Sequence, residues 1–264
     1  MTPDIVVDIG NSRMKWGLVQ SRNIVEMVAL PSDDPIAWKR QAELWATNER
    51  SRWTLAGVAP RVLVRFADWL GSRCRTENIA ILTNDLLLET QDGDKLHFST
   101  AVDEPDRIGI DRLLTSLAAL DRTLKPASAI AINVGTAMTI DFVEPDGTHV
   151  GGVIVPGPRM MARSLHEFTA KLPLIDVEPI LPKRTWGTNT VEAIELGIAN
   201  AILGAADELV WDWATECDVP PWVFVTGGDA DYFRGYVFTA EVECMEIVPH
   251  LTLEGIRIAA EALP

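Results

Sequence analysis

The sequence predicts an α/β fold built from two similar halves. β-Branched, apolar segments alternate with longer segments of helical periodicity, which is typical of the α/β class. The opening of the chain, a strand at 4–9 followed by a returning strand at 13–20, has a counterpart at 129–134 and 138–143. Because each half opens with a hairpin and not with a strand and a crossover helix, the pattern argues against a plain dinucleotide-binding fold.

The remaining elements of the first half are predicted from hydrophobic periodicity and from residues that end helices and strands. Further strands are predicted at 53–58 and 79–83, and helices at 36–47 and 61–75. Residues 84–106 are polar and read as irregular. A helix is predicted over 111–124, with Lys125-Pro126 ending it.

The second half repeats the strand and turn order and ends in helices. After the hairpin, strands are predicted at 148–155 and 222–226, and helices at 190–213 and from about residue 253 onward. Asn189 and Glu192 have the spacing of a capping box, with Asn in place of the usual Ser or Thr.

Composition excludes several classes of function. The formal net charge of −15 disfavours nucleic acid as a partner, and a nucleotide would need local donors, cations and a metal ion to overcome it. The three cysteines form no C-x-x-C pair, so we expect free thiols in a reducing compartment. Asp4 and Asp8 interrupt the first apolar run, which predicts neither a signal peptide nor an anchor. No segment approaches the roughly 20 apolar residues of a membrane helix.

Common catalytic motifs are absent from the sequence. It contains neither a Walker A motif nor G-x-G-x-x-G, G-x-S-x-G or H-E-x-x-H. The four histidines lack ligand spacing, so a zinc site is not expected.

The first candidate site is the turn after the opening strand. Asp8 ends a buried strand, where a carboxylate costs free energy unless it has a partner. Gly10 permits close backbone approach to a phosphate, and Asn11 and Ser12 add donors beside Lys15. Asp8 would then hold Mg²⁺ through water. The alternative is an ordinary hairpin turn, in which Gly and Asn are common.

Two further segments are candidates for the same chemistry. The turn Asn133-Val134-Gly135-Thr136-Ala137 is the counterpart in the second half, and Thr136 could donate to a polyphosphate. Asp111, at a predicted helix start within Gly109-Ile110-Asp111-Arg112, is either a helix cap or a base. Arg112 suits a carboxylate substrate because its planar fork can bind both oxygens.

Two glycine-rich segments complete the set of motifs. Gly151 to Gly157 is a strand flanked by glycines and proline, and Thr226-Gly227-Gly228-Asp229-Ala230 follows a buried strand. Glycines in the second segment leave room for a flat ring such as adenine, and the alternative is a plain loop.

The order of these motifs is specific although each is modest alone. Asp-x-Gly-Asn, Gly-x-Asp-Arg, Gly-Thr-Ala, Gly-Gly-x-Ile-x-Pro-Gly, Gly-x-Asn-Thr and Thr-Gly-Gly-Asp-Ala follow one another along the chain, with a Pro249 to Gly255 segment near its end. In this order the chain resembles the type III pantothenate kinase family over roughly residues 4–260.

The resemblance implies both an architecture and an activity. It implies two ribonuclease-H-like halves of the actin-like ATPase type with an interdomain cleft, here divided as 1–112 and 113–264. It implies phosphorylation of pantothenate by ATP with Mg²⁺, the first step of coenzyme A synthesis. A cytoplasmic homodimer that uses K⁺ or ammonium is implied as well.

The resemblance also assigns residues. Asp111 would accept the proton, and Asn133 would stand at the monovalent-cation position. The residues implied for ATP are Asp8, Ile9, Gly10, Asn11, Ser12, Arg13, Met14, Lys15 and Thr136. Those implied for pantothenate are Gly109, Ile110, Asp111, Arg112 and Thr190.

Two positions depart from the family pattern. Asn133 stands where the family usually has Asp, so cation binding is expected to be weaker, relocated or absent. Val102 stands where the family often has Tyr. These departures leave two alternatives open: a non-catalytic relative that binds pantothenate or nucleotide and regulates a partner, and a kinase of the same architecture for another small acceptor.

Overall fold

The computed structural model describes residues 2–10, 13–89, 97–124, 126–179 and 185–263. The strands are β1 (Ile5–Ile9), β2 (Arg13–Gln20), β3 (Asn23–Pro31), β4 (Trp53–Gly57), β5 (Ile79–Ile81), β6 (Ser99–Thr100), β7 (Ala129–Val134), β8 (Ala137–Val143), β9 (Thr148–Pro156), β10 (Trp222–Thr226) and β11 (Cys244–Ile247). The α-helices are α1 (Pro35–Leu44), α2 (Pro60–Gly71), α3 (Asn84–Glu89), α4 (Ile110–Asp121), α5 (Pro158–Glu167), α6 (Thr190–Thr215) and α7 (Leu251–Ala262). The α/β class is confirmed.

The chain divides into two compact units. The first comprises Met1–Asp121, Asp146–His149 and His250–Pro264, and the second comprises Arg122–Pro145 and Val150–Pro249. These units are defined by proximity, whereas the halves predicted at 1–112 and 113–264 are defined by duplication, and that boundary stays a prediction.

The first unit is built on a five-stranded sheet in the order β3-β2-β1-β4-β5. β1 pairs antiparallel with β2 and parallel with β4, so the hairpin lies on one side of β1 and the parallel strands on the other. Aromatic side chains dominate the core: the rings of Trp16 and Trp53 are 5.2 Å apart, as are those of Trp38 and Phe66. Trp38 on α1 is fully buried in this core.

The second unit has the same strand order. Its sheet runs β11-β10-β7-β8-β9, which read in reverse repeats the order of the first sheet. β7 pairs antiparallel with β8 and parallel with β10, as β1 does with β2 and β4. β6 pairs with the first residues of β9 within the first unit, Ser99 opposite Thr148 and Thr100 opposite His149. The shared order confirms the internal duplication that the hairpins predict.

Several predicted boundaries are wrong. α4 ends at Asp121 and not at residue 124, and Leu124, expected on its apolar face, is exposed. Leu44 is also exposed, although its helical spacing predicts burial. The 84–106 segment, predicted to be irregular, contains α3 and β6.

Three more elements are missing from the sequence-based prediction. β3 alternates poorly because most of its side chains are exposed, and the preceding turn places Ser21 and Arg22 at positive φ without a glycine signal. α5 is largely polar, and β11 is a short strand at a sheet edge. Among the described residues, no helix combines the length and apolar character needed to cross a membrane.

Candidate active site

Asp8 lies near the carboxyl end of β1, directly opposite Lys15 of β2. The β1–β2 register pairs the two residues, so their side chains share one face of the sheet. The Gly10 N–H donates to Arg13 O at 3.1 Å and closes the hairpin. Asn11 and Ser12, predicted to bind ATP, lie outside the described residues.

The other predicted residues of this hairpin divide between core and surface. The side chains of Ile9 and Met14 are fully buried in the core of the first unit, while Arg13 is exposed. Contacts from Ile9 and Met14 to a ligand would therefore come from their backbone groups. Asp8, Lys15 and Arg13 are left to supply side-chain chemistry.

The electrostatics of Asp8 link it to Asp111. Burial raises the pKa of Asp8 from 3.8 to about 6; Lys15 opposes this shift and the negative charge of Asp111 adds to it. The two carboxylates therefore interact although 103 positions separate them in the sequence. They form one electrostatic site within the first unit.

Asp111 lies in the first turn of α4, and Gly109 makes room for it. A Cβ at Gly109 would overlap Asp111 Oδ1 and lie 3.4 Å from Val58 Cγ1. The Val58 N–H donates to Ile9 O at 3.1 Å, which fixes this loop to the end of β1. The start of α4 is thereby held beside the strand that carries Asp8.

α7 supports the start of α4 from behind. The Thr115 hydroxyl donates to Asp111 O at 2.6 Å and lies 2.9 Å from the Thr252 hydroxyl on α7. A Cβ at Gly255 would overlap Leu114 O, so the two helices meet backbone to backbone. The Arg112 N–H donates to Gly109 O at 2.9 Å, while Ile110 is buried.

A divalent cation fits Asp8. A buried carboxylate repelled by a second carboxylate would be stabilised by a positive ion between or beside them. The described residues contain no group of three or more His, Cys, Asp or Glu that could hold a metal. Mg²⁺ does not need such a group, because it usually keeps several waters and binds through one or two carboxylates and substrate phosphates.

In the second unit, three loops interlock around the turn after β7. The Gly135 N–H donates to Ala137 O at 3.0 Å, and the Gly157 N–H donates to Thr136 O at 3.1 Å. A Cβ at Gly157 would overlap Gly135 O, so only glycine fits there. The third loop follows β10, where the Asp229 N–H donates to Val134 O at 3.0 Å. Thr136 is left exposed at the tip.

The side chain of Asn133 faces the loop after β10. Gly227 has a φ of +103°, and a Cβ there would lie 2.7 Å from Asn133 Oδ1. Thr226, which pairs with Asn133 in the sheet, has a buried hydroxyl without a hydrogen-bond partner in the described part of the chain. These neutral oxygens fit a monovalent cation, but they supply no negative charge to hold it.

Thr190 opens α6 and borders a separate cavity. Asn189 caps the helix by accepting from the Glu192 N–H at 3.0 Å, as its spacing predicts. Glu192 accepts from Thr188 and not from the cap backbone, so the reciprocal half of the box is shifted by one residue. Thr190 lines a largely apolar cavity of about 660 Å³ between α5 and α6, together with Met160 and Ile194.

One ion pair beside the β7 turn joins two residues that are not among the predicted site residues. Arg159 on α5 donates through Nη1 to Asp229 Oδ2 at 2.6 Å. The Asp229 side chain is 2% exposed and that of Arg159 is 61% exposed. Asp229 belongs to a motif that the sequence reveals, but its partner lies 70 residues away on a helix that the sequence does not predict.

Comparison with known proteins agrees with this architecture. The type III pantothenate kinase family model matches residues 5–212. A type III pantothenate kinase of Akkermansia muciniphila is 31% identical over 97% of both chains, and one of Dehalococcoides mccartyi is 29% identical over 96% of this chain and 95% of the relative.

Solved structures share the fold at low identity. A protein described as a conserved Baf family transcriptional activator from Campylobacter jejuni has a TM-score of 0.61 at 16% identity and covers 97% of both chains. The activator of 2-hydroxyisocaproyl-CoA dehydratase from Clostridium difficile has a TM-score of 0.53 at 12% identity, with 99% and 96% covered.

The two sheets of equal strand order, each opening with a hairpin, define the actin-like ATPase fold class. Within that class, the chain belongs to the type III pantothenate kinase family.

Proposed function

We propose that this protein transfers the terminal phosphoryl group of ATP to the hydroxyl of pantothenate, giving 4′-phosphopantothenate in the first step of coenzyme A synthesis. Membership of the family supports the reaction. The observation that carries the proposal is the electrostatic coupling of Asp8 to Asp111 at one site, because the reaction needs a group beside the phosphate and a group beside the acceptor.

In the proposed reaction, Asp111 accepts the proton of the pantothenate hydroxyl. The hydroxyl oxygen forms a bond to the γ-phosphorus, the bond to the bridging oxygen breaks, and ADP leaves. Such a transfer depends on positioning and charge stabilisation, so an ordinary carboxylate serves as the base. Arg112 pairs with the pantothenate carboxylate, and Gly109, Ile110 and Thr190 are the other residues proposed to contact the acceptor.

Lys15 and the backbone from Asp8 to Lys15 bind the phosphates, and Thr136 donates from the other half. Asp8 would hold Mg²⁺, which supplies charge neutralisation on the phosphates when bound. Asn133 would hold K⁺ or ammonium weakly. The division into halves at 112/113 belongs to this proposal because it places one phosphate turn in each half.

Two further features belong to the proposal, a homodimer and a cytoplasmic location. All three cysteines are free, which agrees with a reducing compartment. Sedimentation or light scattering of the purified protein tests the dimer directly.

The test of the reaction is ADP release by the purified protein with Mg²⁺ and K⁺, comparing pantothenate, no acceptor and a panel of small carboxylate-bearing alcohols. We expect release that depends on pantothenate. Binding of pantothenate in calorimetry without turnover would instead identify a non-catalytic relative, and turnover with another alcohol only would identify a kinase for a different acceptor.

A further inference from the structure

We infer that Arg159 binds the terminal phosphates of ATP, held in place for that purpose by the buried carboxylate of Asp229. This inference rests on the proposed function, since it takes the turn after β7 to be a phosphate site. It adds a cation to that site, which in the proposal contains only neutral donors from this half of the chain.

The position of Arg159 follows from two hydrogen bonds to the same turn. Gly157, the residue at the start of α5, donates to Thr136 O, and Asp229 donates through its backbone to Val134 O. Arg159 joins these two segments through its bond to Asp229 Oδ2 at 2.6 Å. Arg159 is thus held at both ends, by its backbone in α5 after Gly157 and by its guanidinium group on the loop of Asp229, and both segments are hydrogen-bonded to the Asn133–Thr136 turn.

The partner of Arg159 distinguishes it from the other arginines that the structure describes in this unit. Arg122, Arg163 and Arg234 pair with carboxylates whose side chains are about half exposed, at 46%, 47% and 52%. Such surface pairs fix a side chain only weakly. Asp229 is 2% exposed, and leaving it unpaired would bury an uncompensated charge, so the pair is expected to persist.

The exposure of Arg159 leaves donors available. One nitrogen is engaged by Asp229, and the side chain remains 61% exposed. A guanidinium group has five N–H donors in a planar fork, so one side can bind a carboxylate while another binds a phosphate. Tyr232 supplies no second anion, because burial, together with the charge of Asp229, raises its pKa to about 12 and keeps it neutral.

The negative charge of the whole chain favours such a cation. At a net charge of −15 the protein repels a polyphosphate on average, so a phosphate site needs local positive charge. An arginine held by a buried partner supplies this charge with its geometry already fixed, which lowers the cost of ordering it on binding.

The test compares the dissociation constants of ATP and AMP, both with Mg²⁺ and without acceptor, by calorimetry. Arg159→Met is expected to weaken ATP binding roughly 10- to 100-fold, the loss of a charge-assisted hydrogen bond, while AMP binding changes much less. Arg163→Met, one turn further along α5, is the matched control: it removes the same charge from an exposed pair with Glu167 and should leave both constants unchanged.

Two more variants separate binding from folding. Arg159→Met alone leaves the buried charge of Asp229 unpaired. The double variant Arg159→Met/Asp229→Asn removes that charge as well, so it should fold like the wild type while still losing ATP affinity. Asp229→Asn keeps the arginine but loosens it, and a smaller loss is expected.

Equal losses for ATP and AMP, or an unchanged ATP constant in the double variant, would overturn the role of Arg159. Wild-type protein that binds ATP but does not phosphorylate pantothenate would contradict the proposed function and leave this assignment standing.

Discussion

Asp111 is the residue on which the proposed chemistry depends most. We expect Asp111→Asn to lower kcat by about 10²- to 10⁴-fold, the usual contribution of a general base, while ATP still binds. Asp121→Asn, at the other end of α4 and exposed, is the control for loss of a carboxylate from the same helix. Steady-state rates and ATP calorimetry on the three proteins check this, and full activity in Asp111→Asn would reject the assignment.

The raised pKa of Asp8 predicts how stability changes with pH. Because the pKa is about 6 in the folded protein and 3.8 for the ordinary group, the folded state holds the proton more tightly. The contribution of Asp8 to stability is therefore fully present below pH 3.8 and is lost as the pH rises through about 6.

Asp8→Asn removes this titration. The unfolding free energy of the wild type minus that of the variant should fall between pH 4 and pH 6, as measured by urea denaturation in metal-free buffer. A difference that stays constant or rises over that interval would show that folding does not raise the pKa of Asp8.

The side chain at position 133 is expected to govern how the reaction rate depends on K⁺ concentration. Asn133→Asp would place a negative charge beside the buried Thr226 hydroxyl, so we expect the rate to depend more steeply on K⁺ concentration. Asn200→Asp on α6 adds the same charge elsewhere in the unit and should not change the response. Identical K⁺ titrations for Asn133→Asp and the wild type would show that this position does not govern the cation.

At the scale of elements, the contact of α7 with α4 positions Asp111. Gly255→Ala would force a methyl group against Leu114 O, and overpacking of this kind costs about 1–3 kcal/mol. We expect a lower unfolding free energy and a lower kcat, since α4 carries the base.

Gly204→Ala is the matched control for that change. A Cβ at Gly204 on α6 meets nothing within 4 Å, so the substitution should stabilise the protein by about 0.5–1 kcal/mol through helix propensity alone. Thermal and urea denaturation of both variants check the contrast. If both glycines tolerate alanine equally, the close approach of α4 and α7 is not required.

Sequence reasoning succeeds for elements with strong local signals and fails where the signal is weak. The hairpin at Asp8 and the cap at Asn189 have recognisable turn and capping residues, and both are present. β3 exposes most of its side chains, so it lacks the alternation that predicts a strand. α5 is amphipathic, but it is only ten residues long and directly follows the glycine-rich segment, and the sequence-based prediction omits it.

The candidate site is even harder to predict from local sequence signals than these elements. The separate motifs of Asp8 and Asp111 are visible in the sequence, but no periodicity connects residues so far apart. Only the resemblance, which rests on the order of motifs, assigns both residues to one reaction. The order of motifs does not predict the Arg159–Asp229 ion pair, because this pair depends on how the loops after β9 and β10 pack on the β7 turn.

At the scale of the whole molecule, the two units repeat one strand order, and the first unit draws on both ends of the sequence. Two sheets of the same strand order each place a hairpin turn after their first strand, at Gly10 and at Gly135. α7, from the end of the chain, packs on α4 and β1 in the first unit. Asp111 is therefore supported by a segment that is remote in sequence.

The most direct measurement is ³¹P NMR of the purified protein with Mg²⁺, K⁺, ATP and pantothenate. The account predicts loss of the ATP γ-phosphate signal together with a new phosphomonoester on pantothenate, formed by the wild type and not by Asp111→Asn. ATP that remains intact, or that yields only inorganic phosphate, would contradict it.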